Sequence, residues 1–209
     1  MKKIFVFLTI LFAVIFFNGC ASKKPKEEVI KTAKYHFKVG ISYLNSGNLA
    51  EAIYNLNKAY ALDKNNVDIL NALGIAYSKV GELDKAQQYF LEAIKINPNK
   101  IESYVNLGVL LAQKKDYGSA LKNFKIAANS PDYKSKEKVY YNMALIYKNL
   151  GNLDKYEKNL QKAIAYNNFF LPAYEELGKY YIKLDKFDKA QITYEKAISL
   201  GLGSPNIYY

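Results

Sequence analysis

The chain has 209 residues, half of them apolar, which excludes disorder over most of its length. A single cysteine and a single histidine exclude an intramolecular disulfide, a thiolate metal cluster and a two-histidine zinc site. The net charge of +11 is carried by lysine alone, and arginine, which reads guanine bidentately, is absent, so no nucleic-acid partner is expected.

The first element is a leader, MKKIFVFLTILFAVIFFNGC. Lys2 and Lys3 give it a positive start, and Ile4 to Phe17 form a fourteen-residue apolar run. That run is short of the ~20 residues a membrane-spanning helix needs and suits the core of a signal peptide. Small residues then lead into Cys20, the lone cysteine. The pattern resembles a bacterial lipobox, in which the peptidase cuts before the cysteine and the thiol is acylated. The resemblance implies a signal peptide over 1–19, lipidation at Cys20 and membrane attachment through that lipid. Ala21 follows, where an aspartate resembles an inner-membrane retention signal, so an outer-membrane, periplasm-facing location is expected. Removal of Lys2 and Lys3 lowers the charge from +11 to +9. The remaining lysines scatter along polar helix faces and read as solvated, with a weak pull toward anionic headgroups beside the anchor.

Residues 20–32 read as the lipidated cysteine and a polar tether, with the part after Pro25 also able to join the first helix. As a random coil such a tether spans about 20 Å, which keeps the next element near the bilayer surface.

From residue 33 to 204 one pattern recurs five times, over 33–66, 67–100, 101–136, 137–170 and 171–204. A small residue recurs at Gly40, Gly74, Gly108, Ala144 and Gly178. Alanine recurs at Ala59, Ala93, Ala127, Ala163 and Ala197, and a large residue at Leu56, Phe90, Phe124, Leu160 and Tyr194. The turn slot holds Gly47, Gly81, Lys115, Gly151 and Asp185. This spacing resembles the tetratricopeptide repeat, with Leu73-Gly74, Tyr77, Ala86, Phe90 and Pro98 as the best copy. The resemblance implies an all-α superhelix, an α-solenoid of five antiparallel hairpins whose apolar faces are covered only by stacking. Helix A of each unit is expected over 34–46, 68–80, 102–114, 137–150 and 172–184. Helix B is expected over 49–62, 83–96, 117–129, 153–166 and 187–200.

Three local departures shape further expectations. His36 occupies a packing slot shared with Leu70, Tyr104, Tyr140 and Tyr174, so it reads as a spacer between helices and not as a catalyst. The junction from Ala128 to Lys136 is two residues longer than the others and carries Pro131. Tyr156 stands in a slot otherwise held by alanine, so the helices of repeat four are expected to sit farther apart. The tail over 205–209, with Ile207, Tyr208 and Tyr209, leaves the terminal repeat either covered by its own chain or docked on a partner.

Stacked hairpins curve and line the concave side with helix A. The phase places Phe37, Ile41, Asn71, Ile75, Asn106, Val109, Tyr141, Asn142 and Leu145 there, with Glu175 and Lys179 at the last unit. Asparagine amides both donate and accept, so they can hold the backbone of an extended peptide without reading its side chains. No nucleophile motif, phosphate loop or paired acid–base carboxylates occur, so no catalysis, no cofactor, no metal and no small-molecule substrate are expected.

A leader ending in an acylated cysteine, a short tether and this array together resemble the type IV pilus biogenesis and stability lipoproteins, the pilotins. The stretches that carry the likeness are Asn106-Leu-Gly-Val-Leu-Leu, the lengthened Ala127-Ala-Asn-Ser-Pro-Asp-Tyr junction and Tyr141-Asn-Met-Ala. The resemblance implies a non-enzymatic protein-binding scaffold that helps the pilus secretin reach and assemble in the outer membrane. Several family members carry a cysteine pair around the slots held here by Ala112 and Ile146, and this chain has none there. Two other partner classes stay open: the outer-membrane protein assembly machinery and cell-wall enzymes.

Overall fold

The computed structural model describes residues 26–203, which form ten α-helices and no strand. The leader, Cys20, the first part of the tether and the tail beyond Gly203 lie outside the described residues. The A helices are α1 (Lys26–Ser46), α3 (Val67–Lys79), α5 (Ile101–Gln113), α7 (Lys136–Asn149) and α9 (Leu171–Lys183). The B helices are α2 (Leu49–Leu62), α4 (Leu83–Ile96), α6 (Tyr117–Asn129), α8 (Leu153–Tyr166) and α10 (Phe187–Ser199). Every described helix boundary falls within a residue of the periodic expectation except the start of α1. That helix begins at Lys26, so Lys26–Thr32 join it, the alternative the sequence left open for the part after Pro25.

One turn joins A to B in all five units. The residue in the turn slot has positive φ each time: Gly47, Gly81, Lys115, Gly151 and Asp185. Beyond it an amide bonds back five residues, as in Asn48 N–H to Tyr43 C=O at 3.0 Å and Asp116 N–H to Leu111 C=O at 2.9 Å. This is a Schellman-type cap that satisfies the last carbonyls of helix A and reverses the chain at once. The B helices then start on side-chain caps where the sequence supplies them, with Asn48, Asp116 and Asn152 accepting from Glu51, Ser119 and Lys155 amides.

The two helices of a hairpin meet at the small slot. A Cβ on Gly40 would lie 2.7 Å from Leu56 Cγ, and one on Gly108 would lie 2.9 Å from Phe124 Cε1. Gly74 faces Phe90 and Gly178 faces Tyr194 in the same way, each sixteen residues on. The rest of the apolar surface closes against neighbouring units. One buried cluster spans repeats one and two, a second repeats two to four, and a third repeats four and five. Ala112 and Ile146 both belong to the second cluster, so side-chain packing joins repeats three and four.

Polar and cation–π contacts also join the two helices within hairpins. His36 and Asn55 pair at 3.1 Å, with the proton on Nδ1 because the amide oxygen can only accept, as the spacer reading expects. Tyr77, Tyr147 and Tyr181 on A helices each lie under a lysine eight residues later, Lys85, Lys155 and Lys189, with Nζ 4.6, 5.2 and 5.5 Å from the ring centroid. Each such bracket contributes ~0.5–1 kcal/mol at a wet surface.

Tyr156 fits without breaking repeat four. Its ring is buried, and its hydroxyl passes its partner helix to donate to Glu176 Oε2 on α9 at 2.7 Å.

Two substitutions test this frame with opposite signs. Gly108→Leu forces a side chain into Phe124 and should lower unfolding free energy by ~1–3 kcal/mol. Lys115→Gly removes a left-handed lysine and should raise it by ~0.5–1 kcal/mol. Urea denaturation of the two variants beside the parent reads both effects.

Candidate functional site

The concave face is built on the A helices, and it divides into two halves of different chemistry. Ile41, Ile75, Val109 and Leu145 occupy one slot in successive units and make an aliphatic stripe along it. Ile41, Ile75 and Leu145 are half-buried, while Val109 is 46% exposed and is the open centre of the stripe. A cavity of about 320 Å³ sits beside it between α3 and α5, lined by Ile75, Ser78, Lys79, Phe90, Asn106 and Val109.

The asparagines divide as well. Asn71 is only 7% exposed and does not face an open groove. Its Nδ2 donates to Ser103 Oγ at 2.8 Å, and its Oδ1 accepts from Asn106 Nδ2 at 3.3 Å. Asn71 is therefore a tie between repeats two and three, because a buried amide is costly unless bonded. Asn106 spends its donor on that tie and remains half-exposed at the cavity wall. Asn142 is half-exposed and forms no hydrogen bond among the described residues. Phe37 packs on the first cluster, and Tyr141 meets Phe170 edge-on at 5.5 Å while packing on the third. The groove residues open to a partner are thus Val109, Asn106, Asn142 and Leu145.

At α9 the stripe ends in Lys179, and the groove becomes charged. A second cavity, of about 350 Å³, lies in the equivalent place two units on and is lined by Lys148, Tyr156, Glu176, Lys179, Tyr180 and Lys183. Glu176 holds it together. Burial pushes its carboxyl up, but hydrogen bonds from Lys148 Nζ at 2.8 Å and Tyr156 Oη at 2.7 Å, with the nearby Lys179 charge, outweigh that and leave it below the usual carboxylate value. Burial and the Glu176 carboxylate raise the Tyr156 phenol, which stays protonated and donating. The sequence reading saw only that Glu175 and Glu176 diverge. The tie was legible in one respect: a tyrosine in a small slot needs somewhere to send its hydroxyl.

A third cavity, of about 500 Å³, lies on the convex side between α8 and α10. Thr193 lines it in the slot that Tyr89 fills in repeat two, and Tyr174 contributes a buried hydroxyl with no partner among the described residues. Also among the described residues, no group of His, Cys, Asp and Glu is placed to hold a metal ion, and no helix is long and apolar enough to cross a membrane. Phe169 is exposed in the turn before α9, whereas its neighbour Phe170 is tucked against Tyr141.

Tetratricopeptide-repeat family models match residues 43–107, 137–169 and 171–200. The chain belongs to the tetratricopeptide-repeat family. An uncharacterized protein of Haemophilus influenzae is 30% identical over 156 residues, covering 73% of this chain and 87% of that protein. The photosystem I assembly protein Ycf3 of Acaryochloris marina is 30% identical over 93 residues, 43% of this chain and 56% of that protein. Another curated relative is matched over 8% of its length. Among solved structures, PilF of Pseudomonas aeruginosa superposes with a TM-score of 0.76 at 20% identity, covering 87% of this chain and 79% of that one. At that identity the likeness speaks for the fold. Tetratricopeptide-repeat arrays of this shape are scaffolds suited to binding other proteins.

The Glu176 tie has a defined pH response. A depressed carboxylate stabilises the fold above its ordinary value of 4.5 and loses that contribution as pH falls through the lower folded-state value. Glu176→Gln should therefore destabilise by roughly 1–2 kcal/mol at neutral pH, and the gap to the parent should close in strong acid. Urea midpoints at the two pH values check this.

Proposed function

We propose that this chain is a lipid-anchored, non-enzymatic scaffold of the bacterial envelope. It holds an extended segment of a partner protein along its concave groove and helps the type IV pilus secretin reach and assemble in the outer membrane. One observation carries the binding half of this reading: a continuous aliphatic stripe runs across four units and is flanked by a half-exposed amide, Asn142, that the fold does not use. Surface of that kind is complementary to a peptide, since the stripe takes alternate side chains and the amide takes the backbone. Two further observations support the envelope half. The leader ends in a lone cysteine, and the fold resembles that of PilF over most of the chain.

Deletion of the gene, followed by a gel for heat-stable secretin multimers in fractionated membranes, tests the biological assignment. Multimers should be lost or left in the inner membrane, and normal multimers in the outer membrane would remove the pilus reading. Cys20→Ser should shift the protein from the membrane to the soluble periplasmic fraction. Val109→Asp should cut partner capture by tenfold or more while leaving the melting temperature within about a degree. A variant that captures its partner as well as the parent would exclude the groove.

A further inference from the structure

The convex cavity between α8 and α10 has a filled counterpart between α2 and α4. Ile164, Leu177 and Tyr181 line it, each 104 positions after Tyr60, Leu73 and Tyr77. Thr193 stands 104 positions after Tyr89. In the earlier place Tyr89 supplies a ring. It stacks on Tyr77 with centroids 5.5 Å apart and planes 10° apart, and it meets Tyr60 edge-on at 5.8 Å. Lys85 Nζ also lies over Tyr77, 4.6 Å from its centroid, so that ring has two neighbours.

Repeat five keeps this frame and omits the ring. Lys189 lies over Tyr181 at 5.5 Å, as Lys85 lies over Tyr77. Gln161 Nε2 donates to Tyr181 Oη at 3.4 Å, as Asn57 Nδ2 donates to Tyr77 Oη at 3.3 Å. The stacking partner is replaced by Thr193, whose hydroxyl donates to Lys189 C=O at 2.7 Å. Threonine is short of tyrosine by a whole ring, and a cavity of about 500 Å³ results. Ligand sites occupy ~300–1,000 Å³.

Two polar groups at the cavity have no use within the fold. Tyr174 is 1% exposed, and its hydroxyl has no hydrogen-bond partner among the described residues. A bound acceptor would remove the cost of leaving that donor unpaired. Lys196 lines the cavity in the slot of Lys58 and Lys162, which lie over the Tyr54 and Tyr140 rings at 4.3 and 5.2 Å. Among the described residues Lys196 covers no ring. A free ammonium is complementary to the electron-rich face of a phenol.

We propose that this cavity is a docking point apart from the groove, and that it takes a tyrosine side chain of a partner protein. The incoming ring lies where Tyr89 lies in the earlier place, stacked on Tyr181 and bracketed by Lys196. An oxygen of the incoming residue accepts from Tyr174 Oη. The protein source rests on the reading of this chain as a protein-binding scaffold, whereas the choice of an aromatic ring rests on the cavity alone.

Titration of the full chain with p-cresol, acetyl-Gly-Tyr-Gly-amide and acetyl-Gly-Leu-Gly-amide, read on the Ile192 and Thr193 methyl resonances, tests this. The first two should bind with similar dissociation constants, and the leucine peptide about tenfold more weakly. Tyr174→Phe and Lys196→Met should each weaken the tyrosine peptide about three- to tenfold, and Tyr174→Phe should not lower the melting temperature. Thr193→Tyr should abolish binding and raise the melting temperature by about 2–4 °C, because the chain then supplies its own ring. Equal binding of the two peptides, or a lowered melting temperature in Thr193→Tyr, would overturn the proposal. Binding of p-cresol without the tyrosine peptide would make the ligand a free aromatic compound and overturn the protein source. Binding that appears only in Tyr208→Asp or Tyr209→Asp, or a dimer that Thr193→Tyr dissociates, would also overturn it by making this chain the occupant. The titration needs neither secretin nor anchor, so its failure and the failure of the pilus reading are separate results.

Discussion

The close approach of two helices within each hairpin is the constraint on which the rest of this molecule depends. It requires a position on helix A with no side chain or only a methyl, set against a large residue sixteen positions later. A Cβ at Gly40 or Gly108 would fall inside the Leu56 or Phe124 side chain, so the ring or branched chain uses the volume a side chain would have taken. Both helices then share one seam, and their remaining apolar faces point outward to the units before and after. Repeat four solves the same problem with alanine in the small slot: Ala144 and Leu160, sixteen positions on, are both fully buried. From that seam follow the stacking, the curvature and the lining of the concave side by A helices.

Lysine and tyrosine have a structural division of labour. The chain carries 20 tyrosines and its basic residues are all lysine, and the two types meet repeatedly. Lysine ammonium groups sit over tyrosine rings within hairpins, as in Lys162 over Tyr140 and Lys136 over Tyr166, whose rings stack at 5.1 Å. Such contacts keep the charge in water while the lysine stem covers aromatic surface. Part of the large positive charge therefore serves to cover aromatic surface of the fold. In the second groove cavity Lys148 also donates to the Glu176 carboxylate, which Tyr156 bonds as well, and the Lys179 charge lies nearby.

Most of the fold was legible in the sequence because its signals are local and repeated. Turn positions, B-helix limits and the packing role of His36 all follow from a small-residue phase that five copies average over. The start of α1 was not legible from phase, because Lys26–Thr32 precede the first repeat and carry only helix propensity and two early glutamates as signals. The groove was legible in outline and not in detail. Asn106 and Asn142 share a slot and Asn71 stands one position before it, yet only a structure reveals that Ser103, a small residue in a slot held by Ile69 and Val139, makes room for Asn71 to turn inward. The tie from Tyr156 to Glu176 was hidden for the same reason: it joins positions 20 apart on different units, and no single repeat contains it.

The one departure from even spacing lies where the groove is most open. The aliphatic stripe advances by 34 residues from Ile41 to Ile75 and from Ile75 to Val109, then by 36 from Val109 to Leu145. The extra pair sits between α6 and α7, in a junction closed by Ser130 at one end and Ser135 at the other, with Pro131 fixing the backbone between them. Val109 is the exposed residue on one side of that step and Asn142 the unbonded amide on the other. A longer junction lets two neighbouring units keep their seam through Ala112, Ile146 and Val139 while changing how the A helices present their inner faces. Packing is thus conserved across the step while the groove is altered, which is what a repeat array needs in order to recognise one partner without losing its fold.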